Sequence, residues 1–150
     1  MAATQPTPPT GQLGLADSLV QLAHLVDRVF AKVSRDHDLT PQQVQLICML
    51  IDGPVGMGEL GRLLHLEKSS MSGLVDRVSR RGLVERVPDQ QDRRACRIAL
   101  TPDGRRTGRR THEQVVAQLE TAASALSAGE RRSLVTIIGT LAATNRTEDG

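Results

Sequence analysis

A chain of 150 residues whose only aromatic side chain is Phe30 has to close its core with Leu, Val, Ile, Met and Ala. Such a core is built from helices packed on helices more readily than from a large sheet. The length matches one ordinary domain. No apolar run approaches the roughly 18 residues of a membrane span. The N-terminus lacks a basic segment followed by an apolar stretch, so the expectation is a soluble, cytoplasmic protein with no membrane partner. Cys48 and Cys96 are not spaced for metal or redox chemistry and fit a reducing compartment better than a disulfide framework.

The overall charge of +2 says little, but its distribution says more. Residues 61–110 hold thirteen of the nineteen Lys and Arg side chains and six of the seventeen Asp and Glu, a local net charge of +7 against −5 for the remainder. A basic middle between acidic ends is the footprint of a protein with a polyanionic partner. The competing explanation is a solvated charged surface.

Apolar periodicity divides the chain. Residues 1–12 are rich in Pro, Thr and Ala, carry no charge, and are expected to form a disordered tail. Leu15, Leu19, Leu22, Val26, Val29 and Val33 recur every three or four residues, and Val20, Leu25 and Phe30 add a second edge. A helix apolar on two edges meets more than one neighbour, which makes it a dimer-interface candidate. Thr40-Pro41-Gln42-Gln43 predicts a second helix through a capping box, with Leu39 and Val44 as a hydrophobic staple; Gly53-Pro54 stops it. A short third helix is predicted over Met57–Leu64, and a fourth over Lys68–Arg81 that Gly82 ends. The period then changes. Leu83–Val87 and Arg94–Leu100 read as strands around a turn at Pro88–Asp92. Thr101-Pro102 and the box Ser127-Ala128-Gly129-Glu130 open two last helices. The expected fold is mainly α with a small two-stranded β wing, a winged helix-turn-helix in the order ααααββαα. Residues 39–101 form its lobe, and residues 13–38 with 102–146 form a helical dimerisation region.

Two short helices and a basic hairpin offer two points of contact to a DNA duplex: one helix for the major groove, and a tip for the neighbouring minor groove. On the fourth helix Lys68, Ser69, Ser70, Ser72, Gly73, Asp76 and Arg77 alternate with apolar Met71, Leu74, Val75 and Val78, and Arg80 and Arg81 follow. Small polar residues let the backbone approach bases, while the arginines reach guanine edges or phosphates. Serines also favour helix starts without any ligand, so the group, not each serine, carries the reading. At the hairpin tip Arg93 and Arg94 suit a narrow, electronegative minor groove, with Asp92 expected to pair with an arginine and fix its rotamer.

From Leu60 to Gly104 the chain resembles the MarR family of bacterial regulators. The resemblance rests on Leu74-Val75-Asp76-Arg77-Val78, Arg81-Gly82-Leu83-Val84-Glu85-Arg86, Asp92-Arg93-Arg94 and Leu100-Thr101-Pro102-Asp103-Gly104, in the family's order and spacing. It implies an obligate homodimer whose first and last two helices interlock, holding two winged lobes over an inverted-repeat site in double-stranded DNA. It also implies a repressor released by a small phenolic or carboxylated effector, a DNA-reading helix starting at Lys68, and Asp92 with Arg94 as the wing's anchoring pair. The departures are Gly56 in place of a better helix cap, Gly61 where Ala is frequent, and Gly73 in the reading helix.

Other motifs carry less. The glycines of Gly56-Met57-Gly58-Glu59-Leu60-Gly61 have dinucleotide-loop spacing, but the residues before them read as a helix, not the strand of a parallel unit. His24, His37, His65 and His112 fall on separate elements with no metal-ligand spacing. His24 and Arg28, one turn apart, with His112 brought near, would suit an anionic ligand. No paired carboxylates, nucleophile motif or metal cluster is arranged for catalysis, and no cofactor is implied. Two alternatives stay open: a winged-helix protein-interaction module without DNA binding, and a regulator sensing oxidants through Cys48 or Cys96.

Overall fold

The computed structural model describes residues 14–146; the tail expected over residues 1–12 lies outside the described residues. The elements run α1 (Leu15–Asp36), α2 (Pro41–Met49), β1 (Val55–Gly56), α3 (Met57–Leu64), α4 (Lys68–Arg80), β2 (Val84–Pro88), β3 (Cys96–Leu100), α5 (Pro102–Ala122) and α6 (Ala128–Arg146). The predominance of helix follows from the aliphatic composition, and the helix boundaries follow from local signals. At α2 the Gln43 N–H donates to Thr40 Oγ1 (3.2 Å) and the Thr40 N–H donates to Gln43 Oε1 (3.1 Å), so the predicted capping box forms. The box at α6 forms likewise between Ser127 and Glu130. α5 ends at Ala122.

Three helices end on one device. Asp38, His65 and Gly82 adopt left-handed conformations, with φ of 54°, 52° and 72°. In each case the next residue's N–H reaches back to the carbonyl five residues earlier: Leu39 to Ser34, Leu66 to Gly61 and Leu83 to Val78. Gly82 was readable as such a stop. Asp38 and His65 were not, because a side chain disfavours that conformation and gives no advance signal.

The expected two-stranded wing is part of a three-stranded antiparallel sheet in the order β1-β3-β2. Val55 faces Ile98 and Gly56 faces Arg97, so β1 supplies partners for the second edge of β3, whose Ile98 is fully buried. A two-residue strand has no alternation to read. This strand also corrects the expectation that helix precedes Gly56, yet it pairs antiparallel and no parallel nucleotide-binding unit results. Pro88 closes β2 opposite Cys96 instead of opening the turn, and β3 begins at Cys96 because Arg94 lies in the turn.

The main core joins α2, α3 and α4 to the sheet through Val44, Leu46, Ile47, Leu60, Met71, Leu74, Val75, Val78 and Ile98, each 1% exposed or less. Burial of such side chains stabilises by roughly 1.5–3 kcal/mol each. A smaller cluster of Val29, Val33 and Val115 joins α1 to α5, and Phe30 packs against both clusters. Glycines let α5 approach closely. A β-carbon on Gly104 would stand 1.8 Å from the Leu83 carbonyl oxygen, and one on Gly108 would stand 3.1 Å from Ile47 Cγ2. Around Gly104 the Thr101 N–H donates to the Leu83 carbonyl (3.1 Å), the Thr101 hydroxyl donates to the Gly82 carbonyl (2.6 Å), and the Gly104 N–H donates to Thr101 Oγ1 (3.0 Å). These contacts fasten the end of α4, the wing and the start of α5 together.

Much apolar surface stays uncovered at the two chain ends. On α1 Leu15 is 77% and Val20 53% exposed; on α6 Val135 is 72% and Ile137 56% exposed. No described side chain of α6 is fully buried.

Candidate nucleic-acid interface

The helix-turn-helix consists of α3, a turn at His65–Glu67, and α4. Met71, Leu74, Val75 and Val78 fix one face of α4 in the core. That anchoring turns Lys68, Ser69, Ser70, Arg77 and Arg80 outward, all exposed, with Ser72 and Gly73 half-exposed among them. Gly73 leaves room for its neighbour one turn on: a β-carbon there would stand 3.3 Å from Arg77 Nη1. The Arg77 side chain therefore lies back over Gly73.

The remaining arginines divide by partner. Arg80 Nε donates to the Asp76 carbonyl (3.4 Å) along its own helix. Arg81 donates to the Asp38 carbonyl at the end of α1, which directs it to the α1–α2 joint as well as toward solvent. Arg86 of β2 forms an ion pair with Asp76 of α4 at 2.8 Å, tying the wing to the helix. Sequence reasoning listed Asp76 among outward polar residues and missed this pairing. Its signal was an acid on a basic face, ten residues from an arginine of alternating register.

At the wing tip the Asp89 N–H donates to the Ala95 carbonyl (3.2 Å), closing the loop, and the Ala95 N–H donates to the Asp92 carbonyl (3.1 Å). Arg93 and Arg94 thereby occupy the two central positions of a four-residue turn and are exposed with Asp92. Asp92 Oδ1 accepts the Arg94 backbone N–H at 2.9 Å. The expected grip of Asp92 on an arginine side chain is therefore a grip on the arginine backbone, because a short carboxylate reaches the amide two residues on more easily than a guanidinium. Asp89, which sequence reasoning gave no role, accepts from the Gln91 and Asp92 N–H groups at 2.8 and 3.2 Å. Those two donors, Gln91 foremost, hold its carboxyl below the usual carboxylate range.

The other candidate residues lie elsewhere. His24 and Arg28 are exposed on α1 and line a shallow cavity of about 480 Å³ with Ser18, Gln21, Leu22 and Leu25. His112, on α5, does not line it. Among the described residues no group of three His, Cys, Asp or Glu side chains is placed to hold a metal ion, and no helix is long and apolar enough to cross a membrane. Burial pushes the Cys48 thiol up despite a hydrogen bond with Thr111, which works against a reactive thiolate there.

Residues 37–95, from the α1–α2 joint to the wing tip, match the model of the MarR family. Over that segment, which is less than half of its length, the chain is similar to the MarR family. A curated relative is the uncharacterized HTH-type transcriptional regulator YsmB of Bacillus subtilis, 34% identical over 90 residues, or 59% of this chain and 62% of the relative. The chain thus spans about three fifths of that relative's length. The MarR fold extends further than the family match. The structure of NadR in complex with 4-hydroxyphenylacetate superimposes with a TM-score of 0.74 at 22% identity, covering 92% of this chain and 98% of NadR. The S. aureus MepR–DNA complex superimposes with a TM-score of 0.72 at 19% identity, covering 89% of this chain and 99% of MepR. The curated relative is named as a regulator of transcription, not as an enzyme.

Proposed function

We propose that this chain is a homodimeric, DNA-binding transcriptional repressor. In this reading α4 of each lobe lies in a major groove of an inverted-repeat operator, and each wing tip enters the flanking minor groove. One observation carries the reading: the exposed polar face of α4 and the Arg93–Arg94 turn belong to one rigid unit, joined by the shared core, the sheet and the Asp76–Arg86 ion pair. Lys68, Ser69, Ser70, Ser72, Gly73 and Arg77 would face the bases, Arg80 and Arg81 the backbone, and Asp92, Arg93 and Arg94 the minor groove. The MepR–DNA complex, of the same fold, supports duplex DNA as the partner.

Residues 39–101 would serve as the DNA lobe, and residues 13–38 with 102–146 as the dimerisation region. The uncovered apolar side chains of α1 and α6 support that division, since exposed patches of this kind mark association surfaces. A small aromatic or anionic effector would release the operator by shifting the lobe spacing, with His24 and Arg28 among its contacts. The NadR complex with 4-hydroxyphenylacetate supports that class of ligand.

The test is equilibrium binding, by fluorescence anisotropy, to a duplex that the protein selects from a random-sequence pool. A DNA reader neutralising six phosphates or more loses at least about a thousandfold in affinity between 50 and 200 mM salt. Arg94→Ala is expected to weaken all duplexes alike and to lower the salt slope by about one. Failure to select any duplex, even at low salt, refutes the reading in favour of a protein-interaction module.

A further inference from the structure

Two exposed arginines at the apex of a seven-residue loop are useful for DNA only if the loop holds them in place, since ordering a long side chain and its backbone on binding costs affinity. The sheet cannot do this, because ladder pairing ends at Pro88 and Cys96. The hold has to come from inside the loop. It comes from two carboxylates acting in sequence. Asp92 accepts the Arg94 N–H, but Asp92 is itself a loop residue, and its own backbone N–H is held by Asp89 together with that of Gln91. Asp89 in turn is the first residue after the sheet, and its N–H is bonded to the Ala95 carbonyl across the loop. Asp89 is therefore the point at which the order of the sheet passes into the tip.

We propose that Asp89 is a positioning residue for DNA binding: by accepting two loop amides it sets the backbone on which Asp92 presents Arg93 and Arg94 to the minor groove. The inference rests on the DNA-binding reading above and adds to it a residue that touches no DNA. An acid on a basic face should, by charge alone, weaken binding. Removal of Asp89 is thus expected to help if charge dominates and to harm if geometry dominates, so the two accounts differ in sign.

The experiment compares Asp89→Ala and Asp89→Asn with the full-length wild-type chain, on the 30-base-pair duplex that wild type selects from a random pool. Asn keeps the Oδ1 acceptor and drops the charge; Ala drops both. Anisotropy gives affinity, and hydroxyl-radical footprinting reads the minor groove at the site flanks. For Asp89→Ala we expect roughly tenfold weaker binding, of the size that loop ordering imposes, with flank protection lost and central protection kept. Asp89→Asn should stay within about twofold of wild type. In an Arg94→Ala background, Asp89→Ala should cost little more, since both act through one loop. The inference is overturned if Asp89→Ala binds as wild type or tighter, if Asp89→Asn is as weak as Asp89→Ala, or if protection falls equally at centre and flanks. If wild type selects no duplex, the DNA-binding reading itself fails, a result distinct from all of these.

Discussion

At the scale of single residues, two glycines show how differently the same substitution can act. A methyl on Gly104 meets the Leu83 carbonyl, a backbone atom already bonded to the Thr101 N–H, and neither the helix start nor the strand can withdraw without breaking that bond. Gly104→Ala is expected to destabilise by about 3 kcal/mol, the upper range for overpacking, measured as a lowered midpoint in urea unfolding. A methyl on Gly73 meets only the mobile end of Arg77, so the gain in helix propensity, about 1 kcal/mol, should survive as added stability. The cost appears in function instead, because Arg77 must leave its place over the helix. Gly73→Ala is expected to melt higher and bind selected DNA several-fold more weakly; tighter binding would show that Arg77 reads DNA from another position. Cys48, half-buried and with its thiol pushed up by burial, should react with a maleimide more slowly in the native than in the unfolded protein, and native labelling of Cys48 in a Cys96→Ser background as fast as in the unfolded chain would favour the redox alternative.

At the scale of elements, the best-marked boundary is also the easiest to weaken. Thr40 and Gln43 satisfy each other's amides at the start of α2, a helix with Val44, Leu46 and Ile47 in the core. Thr40→Ala should cost about 1 kcal/mol, read in the same unfolding measurement, whereas Thr40→Ser should cost little. That boundary could be read from sequence because capping is local chemistry, written in four consecutive residues. The helices of the lobe were legible for the same reason, with their apolar faces at helical spacing. β1 was not legible: Val55–Gly56 is a strand only because Ile98 and Arg97, more than forty residues on, need partners. The candidate site divides along the same line. The outward face of α4 and the Arg93–Arg94 apex follow from periodicity and turn chemistry. The Asp76–Arg86 pair, the grip of Arg81 on the Asp38 carbonyl and the two-step hold of Asp89 and Asp92 depend on how the backbone bends in space.

At the scale of the whole molecule, burial is uneven among the described residues. The lobe is closed around residues almost wholly inaccessible, while α6 keeps Val135, Ile137, Ile138 and Leu141 in water along its length and α1 does the same with Leu15, Leu19 and Val20. A second copy would offer the same two strips, so the proposed two-fold pairing of α1 and α6 would cover both with one self-complementary interface. Ile137 tests this well. At 56% exposure it contributes little to the isolated chain, so Ile137→Asp should leave the lobe's fold intact while placing a charge in the proposed interface. The expected outcome is a monomer by sedimentation equilibrium at concentrations where wild type is dimeric. DNA affinity should fall on the order of a hundredfold, because one lobe then binds without the effective concentration that its tethered twin provides. The far-ultraviolet spectrum should stay native. If Ile137→Asp remains dimeric, these helices are covered by something other than each other; if it is monomeric yet binds DNA as wild type does, the two lobes do not act on one site together.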